Sequence, residues 1–281
     1  MRPPLSTALV FSLAVGYVPE PVRPVASDTD SFKFVVLGDS GTGKKQQYEL
    51  AAQMAALRSR FDYRTVILLG NNVQGSERPQ DFLNKFEAPY RPLLDQGVEF
   101  RAVLGNKDSR EQRWYKLFNM TGKYYTFSPA PAVQCFALES TYVTPAQMEW
   151  LEEQLKQSTS AWKIAFFHHP LYSSGRRTGS HTALRNMLEP LFLKYNVSVV
   201  FSAHENFYER ITPQKDITYF VVGSGGTVRQ GDLDRSRGLT ASGFDTDLAF
   251  LAGEVAGDVL TFQVISRVGQ TVDSGRVLRR N

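Results

Sequence analysis

The chain of 281 residues has one cysteine, Cys135. A single thiol can form no intrachain disulfide, and it excludes zinc and iron–sulfur sites built on clustered cysteines. Cys135 lies in the apolar run 133–138, which predicts a buried structural thiol and not a nucleophile. Histidine is nearly as scarce, and all four histidines fall between His168 and His204. Charge of one sign is not concentrated either. The 32 Lys and Arg are set against 28 Asp and Glu, a formal net charge of +4, with no basic cluster longer than pairs such as Arg176-Arg177 and Arg279-Arg280. That balance makes a nucleic-acid partner unexpected. There are no internal repeats and no low-complexity linkers, and the apolar run 5–18 is too short to span a bilayer.

A hydrophobic content of 42% over this length is enough for one large core. Met1-Arg2, the apolar run 5–18 and a Pro-rich polar stretch to Asp30 have the form of a signal peptide, with cleavage near Val25-Ala26-Ser27. The expectation is an exported chain, secreted or periplasmic. Residues 1–27 are then the leader, and 28–281 form one domain without a transmembrane segment. Apolar runs at 32–38, 65–70, 99–104, 162–167 and 197–202 read as buried strands. Helix-period patterns at 44–60, 79–94, 110–118, 144–156 and 181–195 lie between them, with Thr144 as N-cap and Pro145 in the first turn. Residues 124–127 and 133–138 read as paired strands, and 218–223, 247–255, 259–268 and 271–278 as a β-rich end. Gly223–Gly243 reads as a glycine-rich loop. Strands alternating with helices, followed by a run of strands, predict a layered α/β fold.

Gly38-Asp39-Ser40-Gly41-Thr42-Gly43-Lys44, between a strand and a helix, fits the G-x-x-x-x-G-K phosphate-cradling loop. Lys45 stands where that loop needs a Mg²⁺-binding hydroxyl, and the next strand ends in Gly70-Asn71 where an acidic anchor is needed. A P-loop nucleotide-binding protein is therefore a minor alternative.

Functional polar residues in α/β folds gather in loops at the C-terminal ends of strands. Five such blocks follow the five buried strands: Gly38-Asp39-Ser40-Gly41, Gly70-Asn71-Asn72-Val73-Gln74, Gly105-Asn106-Lys107-Asp108, His168-His169-Pro170 and Ala203-His204-Glu205-Asn206. These blocks, in this order, resemble the calcineurin-like metallophosphoesterases, in particular the purple and tartrate-resistant acid phosphatase branch. Pro170-Leu171-Tyr172-Ser173, Phe207-Tyr208-Glu209-Arg210 and Gly223-Ser224-Gly225-Gly226 extend the resemblance over most of the chain. It implies a four-layer α/β/β/α sandwich and metal-dependent hydrolysis of phosphate monoesters. In that family two metal ions share a bridging Asp, and a metal-bound hydroxide attacks phosphorus while both ions polarise the phosphate.

Carried over residue by residue, Asp39, Asn106, His168 and His204 stand at retained ligand positions. Asn71 replaces the bridging Asp, Gln74 the Tyr ligand and Asn206 a His ligand. Lys107 replaces a substrate-contacting His. Thr178 stands near a second such His, with His181 three residues on as a substitute contact. Neutral amides bind divalent or trivalent ions far less strongly than carboxylate, phenolate or imidazole, and two close cations without a bridging anion repel. The expectation is a degenerate enzyme with no binuclear centre. It would hold at most one weakly bound divalent ion (Zn, Mn or Fe) at Asn106, His168 and His204, and a phosphate-containing small molecule as partner. A weakly active single-metal phosphomonoesterase is the alternative. Lys107 either pairs with Asp39 or Asp108, or forms an anion pocket with the backbone N–H groups of 39–43. His169 reads as a packed or hydrogen-bonded side chain, and Glu205 as a supporting carboxylate.

Overall fold

The computed structural model describes residues 31–281, and the segment read as a signal peptide lies outside them. The chain opens β1 (Phe32–Leu37), α1 (Lys45–Arg58), β2 (Thr65–Leu68), α2 (Pro79–Phe82), α3 (Ala88–Leu94), β3 (Glu99–Ala102). It continues β4 (Tyr125–Ala130), β5 (Val133–Ala137), α4 (Pro145–Gln157), β6 (Trp162–Phe166), α5 (Thr182–Lys194), β7 (Val199–Ser202). It ends β8 (Tyr208–Ile211), β9 (Thr218–Val222), β10 (Thr240–Phe244), β11 (Ala249–Ala256), β12 (Val259–Ser266), β13 (Thr271–Leu278). One sheet has the order β13-β12-β11-β1-β2-β3 and the other β10-β8-β9-β7-β6-β5-β4.

Side chains alternate across a strand, so a strand covered on both faces must be apolar at every position. In β1, Phe34 and Val36 point between the sheets, where they meet Ile164, Phe166, Phe201 and Phe220. Val35 and Leu37 point outward onto Leu50, Met54 and Leu57 of α1 and Tyr90 and Leu93 of α3. The outer face of the second sheet, including Phe136, Ala165 and Val200, is covered by Leu151 and Leu155 of α4 and Leu184, Leu188 and Phe192 of α5. The layers are therefore α/β/β/α, as the resemblance implies. The parallel pairings β1–β2–β3 and β5–β6–β7–β9 bring the C-terminal ends of these strands to one edge, and the polar loops meet there.

Three segments differ from the sequence reading. The helix expected over 79–94 is interrupted by a π-type turn at Leu83–Glu87. Pro89 and Pro92 have no N–H to donate one turn back, so a regular ladder cannot run through them. The helix expected over 110–118 is two short 3-10 turns, Arg110–Trp114 and Lys116–Phe118. The loop 223–243 runs into a strand, β10, which pairs with β8. Neither β8 nor β10 is apolar enough to announce itself. The loop before β10 is tied by Gly225 N–H to Gly38 O (2.9 Å) and Arg229 N–H to Asn206 O (2.9 Å). Thr144 caps α4 as expected, accepting from Gln147 N–H at 3.3 Å. Cys135 is buried and unpaired, and burial pushes its thiol pKa up. Among the described residues no helix is long and apolar enough to cross a membrane.

Candidate metal centre

Asp39, Asn71 and His204 all have positive φ, at 53°, 56° and 68°. Left-handed backbone is uncommon outside glycine. Three such residues facing each other at strand ends mark a site where tertiary packing over-determines the backbone. The loops are also pressed together. A Cβ on Gly41 would lie 1.9 Å from Asn72 O, and one on Gly70 (φ +92°) 2.9 Å from His168 Nδ1.

The Asp39 carboxylate is buried and fully engaged. Its Oδ1 accepts from Asn71 Nδ2 at 2.6 Å and its Oδ2 from His204 N–H at 2.9 Å. The orientation of the Asn71 amide is set from both ends, because its Oδ1 accepts from Lys107 N–H at 2.9 Å. A flipped amide would put oxygen against a carboxylate and NH₂ against an N–H. The Asn71 NH₂ group therefore projects into a ring of acceptors. Besides Asp39 these are His168 Nε2 at 3.2 Å and Asn106 Oδ1 at 3.4 Å.

His168 Nδ1 is 2.8 Å from Leu69 O. A carbonyl can only accept, so Nδ1 carries the proton and Nε2 presents its lone pair to the site. Nε2 lies 3.0 Å from Asn106 Oδ1 and 3.2 Å from His204 Nδ1. His169 joins the group. One ring nitrogen from each of His168, His169 and His204 lies within 4.8 Å of the others, and His169 Nδ1 is 3.0 Å from Ser140 Oγ. Burial holds these imidazoles neutral: it pushes His168 down to about 3 and His169 to about 2, and lowers His204 as well. Neutral imidazole is the form that binds a metal.

The replaced positions behave as amides do. Gln74 donates Nε2 to Asp39 O at 3.3 Å and receives Lys107 Nζ on Oε1 at 3.3 Å. Asn206 is buried and donates to Gly223 O at 3.3 Å. The Lys107 ammonium forms no ion pair with Asp39 or Asp108 among the described residues, which corrects the expectation of a carboxylate partner. Asp108 is occupied otherwise. Its Oδ1 accepts from Asn72 N–H (2.9 Å) and Val73 N–H (3.4 Å), and its Oδ2 from Gly105 N–H (2.9 Å) and Asn72 Nδ2 (3.3 Å). Glu205 accepts from Gly179 N–H at 2.6 Å, and burial pushes its carboxyl up to about 7.

The phosphate-cradle reading of 38–44 fails on its own terms. Asp39 N–H is bonded to Gly70 O, Gly41 N–H to Asn71 O, and Thr42 and Gly43 N–H to Gln47 Oε1, so this loop has no row of free amides to present. The same engagement takes the amides of Asp39, Gly41, Thr42 and Gly43 out of any anion pocket. His181 caps α5, its Nδ1 accepting from Leu184 N–H at 3.2 Å with its ring 5.8 Å from His169. Thr178, not His181, lines the cavity of about 60 Å³ over the site, together with Asn71, Asn106, Lys107, His204 and Asn206. Arg177 and Arg229 line it too. Sequence reading passed over both. Arg177 appeared only as half of a basic pair, and Arg229 is distant in sequence from every motif.

Residues 32–208 match the family described as calcineurin-like phosphoesterase. Among curated proteins, probable purple acid phosphatase 20 of Arabidopsis thaliana is 27% identical over 206 residues, covering 64% of this chain and 46% of that protein. Purple acid phosphatase 23 of the same plant is 30% identical over 126 residues, covering 40% of this chain and 27% of that protein. The chain thus spans less than half the length of these relatives. Purple acid phosphatase 4, also of A. thaliana, is 24% identical over 244 residues and covered over 71% of its length, with 73% of this chain. Among solved structures, GAP50, the anchor in the inner membrane complex of Plasmodium, superposes with a TM-score of 0.77 at 19% identity, covering 89% of this chain and 90% of that one. A purple acid phosphatase from yellow lupin gives 0.71 at 17% identity, covering 90% of this chain and 54% of that one. These likenesses concern the fold. With the family matched over more than half its length, the chain belongs to the calcineurin-like phosphoesterases, whose members are metal-dependent.

Proposed function

We propose that this chain is a purple-acid-phosphatase-like member of its family in which two-metal hydrolysis of phosphate monoesters is impaired. The observation that carries this reading is the Asn71 NH₂ group, 2.6 Å from Asp39 Oδ1 and directed at the lone pairs of His168 and Asn106. A bridging carboxylate accepts cations on both oxygens. An amide turned this way gives hydrogens to the groups that would otherwise bind them. It replaces a cation by a hydrogen-bond donor, with its two hydrogens shared among these acceptors. With Gln74 and Asn206 also neutral, Asp39 is the single carboxylate among the ligand positions. The donor set does not fit a binuclear centre.

A single divalent ion is the second reading, and one distance pair favours it. His168 Nε2 sits 3.0 Å from Asn106 Oδ1 and 3.2 Å from His204 Nδ1. Donors about 2.1 Å from a common ion lie roughly 3–3.4 Å apart, so both distances from His168 suit donors to one zinc ion. Export is a further proposal, and it rests on the sequence of residues 1–27 alone.

Metal content and turnover of a chromogenic phosphomonoester test the first reading. The expected result is fewer than two ions per chain after supply of iron, zinc and manganese, with negligible turnover. The variant carrying Asn71→Asp, Gln74→Tyr, Lys107→His and Asn206→His should gain metal. Two ions in the unaltered protein, with turnover in the ordinary range of about 1–10³ per second, would overturn it. One ion with slow turnover that His204→Ala abolishes would select the second.

A further inference from the structure

The cavity over Asn71 and His204 is lined by three cations from three separate loops: Lys107, Arg177 and Arg229. Convergent cations normally find carboxylates. Here the Lys107 ammonium has Gln74 Oε1 as its partner, and neither guanidinium forms an ion pair or side-chain hydrogen bond among the described residues. Two acids beside the cavity, Asp39 and Glu205, have other partners. Asp39 accepts from Asn71 and from His204 N–H, and Glu205 from Gly179 N–H. Each arginine sits on a segment whose backbone is fixed. Glu205 holds Gly179 at the end of the segment that carries Arg177. Arg229 N–H is bonded to Asn206 O at 2.9 Å, beside the Asn206 side chain that forms part of the cavity wall.

We propose that this cavity is a metal-independent receptor for a phosphate dianion, either free or as a phosphomonoester, held by Lys107, Arg177 and Arg229 in place of metal ions. The inference rests on the reading that the binuclear centre does not assemble, and it names what the site binds once the ions are gone. Size supports a single tetrahedral oxyanion. A cavity of about 60 Å³ accommodates some four to six water-sized oxygens, at roughly 10–15 Å³ each. Guanidinium forks match phosphate oxygens in pairs, and Lys supplies a point charge, so the three together recognise a doubly charged group. The amide of Asn106 and the hydroxyl of Thr178 add donors on the same wall.

Calorimetric titration of the full chain in EDTA, with inorganic phosphate and separately with a phosphoserine peptide, tests this. Binding of either ligand in EDTA is expected. Arg177→Gln and Arg229→Gln should each weaken it by about tenfold or more, and Lys156→Gln on the exposed last turn of α4 should leave it unchanged. Circular dichroism melting of each variant separates lost binding from lost folding. Binding of both ligands identifies free phosphate as sufficient. Binding of the peptide alone identifies a phosphorylated side chain as the source. Binding that appears only with added zinc or manganese, or arginine variants that melt normally and bind as the unaltered chain does, would overturn the proposal. Binding of neither ligand would overturn it too. Metal content and turnover on the same preparation separate the two ideas. Two ions with turnover defeat the impaired-hydrolysis reading, whereas no turnover and no binding in EDTA defeats the receptor alone.

Discussion

At the scale of single residues, the site is organised by proton placement. Leu69 O fixes the His168 tautomer, Lys107 N–H fixes the Asn71 amide, and burial keeps three imidazoles neutral. A histidine whose folded pKa lies below the unfolded value of about 6.5 takes up its proton only on unfolding, so stability falls as pH falls below 6.5. Each such histidine contributes up to about 1.4 kcal/mol per pH unit in that window. Glu205 acts in the opposite sense. Its folded value of about 7 exceeds that of an ordinary carboxyl, so the folded chain takes up that proton first, and stability gains as pH falls from 7. A differential measurement isolates one group. In metal-free buffer, urea unfolding of His169→Asn should lose about 1.3 kcal/mol less stability than the unaltered chain over the whole interval from pH 7 to 5.5. Equal pH slopes would refute the assignment of His169 as a buried neutral imidazole.

At the scale of elements, the loops at this sheet edge are held by a buried carboxylate acting as a staple. Asp108 joins the loops after β2 and β3 by accepting four hydrogens from Asn72, Val73 and Gly105. Replacing it by alanine strands several buried backbone donors at once, each costing about 1–3 kcal/mol. Asp108→Ala should therefore lower stability by about 3 kcal/mol or more and cut ligand binding at Lys107, which differential scanning calorimetry and titration would register. Periodicity revealed most of these elements in advance. The apolar runs of β1, β2, β6 and β7 and the Thr144 cap of α4 are local signals that the structure realises. β8 and β10 are not local in that sense. Tyr-Glu-Arg-Ile and Thr-Ala-Ser-Gly-Phe become strands because a neighbour supplies hydrogen-bonding partners. Strand propensity measures that surrounding more than the residue itself.

At the scale of the whole molecule, two sheets must be held face to face over an apolar interior. Phe34 from one sheet and Phe201 from the other meet edge to face at 5.9 Å in that interior. At its border, Arg210 of β8 forks onto Asp273 of β13, with Nε–Oδ2 2.9 Å and Nη2–Oδ1 3.2 Å, and the Tyr208 hydroxyl donates to the same carboxylate at 2.6 Å. Asp273 is nine-tenths buried. Asp273→Asn weakens a charge-assisted pair between the sheets, and an expected loss of about 2–3 kcal/mol lowers the melting temperature by roughly 5–10 °C for a domain of this size. A melting curve superimposable on that of the unaltered chain would show that the apolar interface alone aligns the sheets.

Sequence by itself determined the α/β layering, the family and the identity of the residues at the strand ends. Each of these depends on local periodicity or on ordered short motifs, which need no partner to be read. It also placed the amides Asn71, Gln74 and Asn206 at positions where the family it resembles has ligands. Tertiary structure alone decided how those groups are used. The direction of the Asn71 amide depends on Lys107 and Asp39, which lie 36 and 32 residues away along the chain. Arg177 and Arg229 share a wall only because separate loops converge on one sheet edge, and the amides of Asp39, Gly41, Thr42 and Gly43 are closed to a ligand only because Gly70, Asn71 and Gln47 take them. Hydrogen bonding and charge act through space over a few ångströms, so they become legible once the chain has folded.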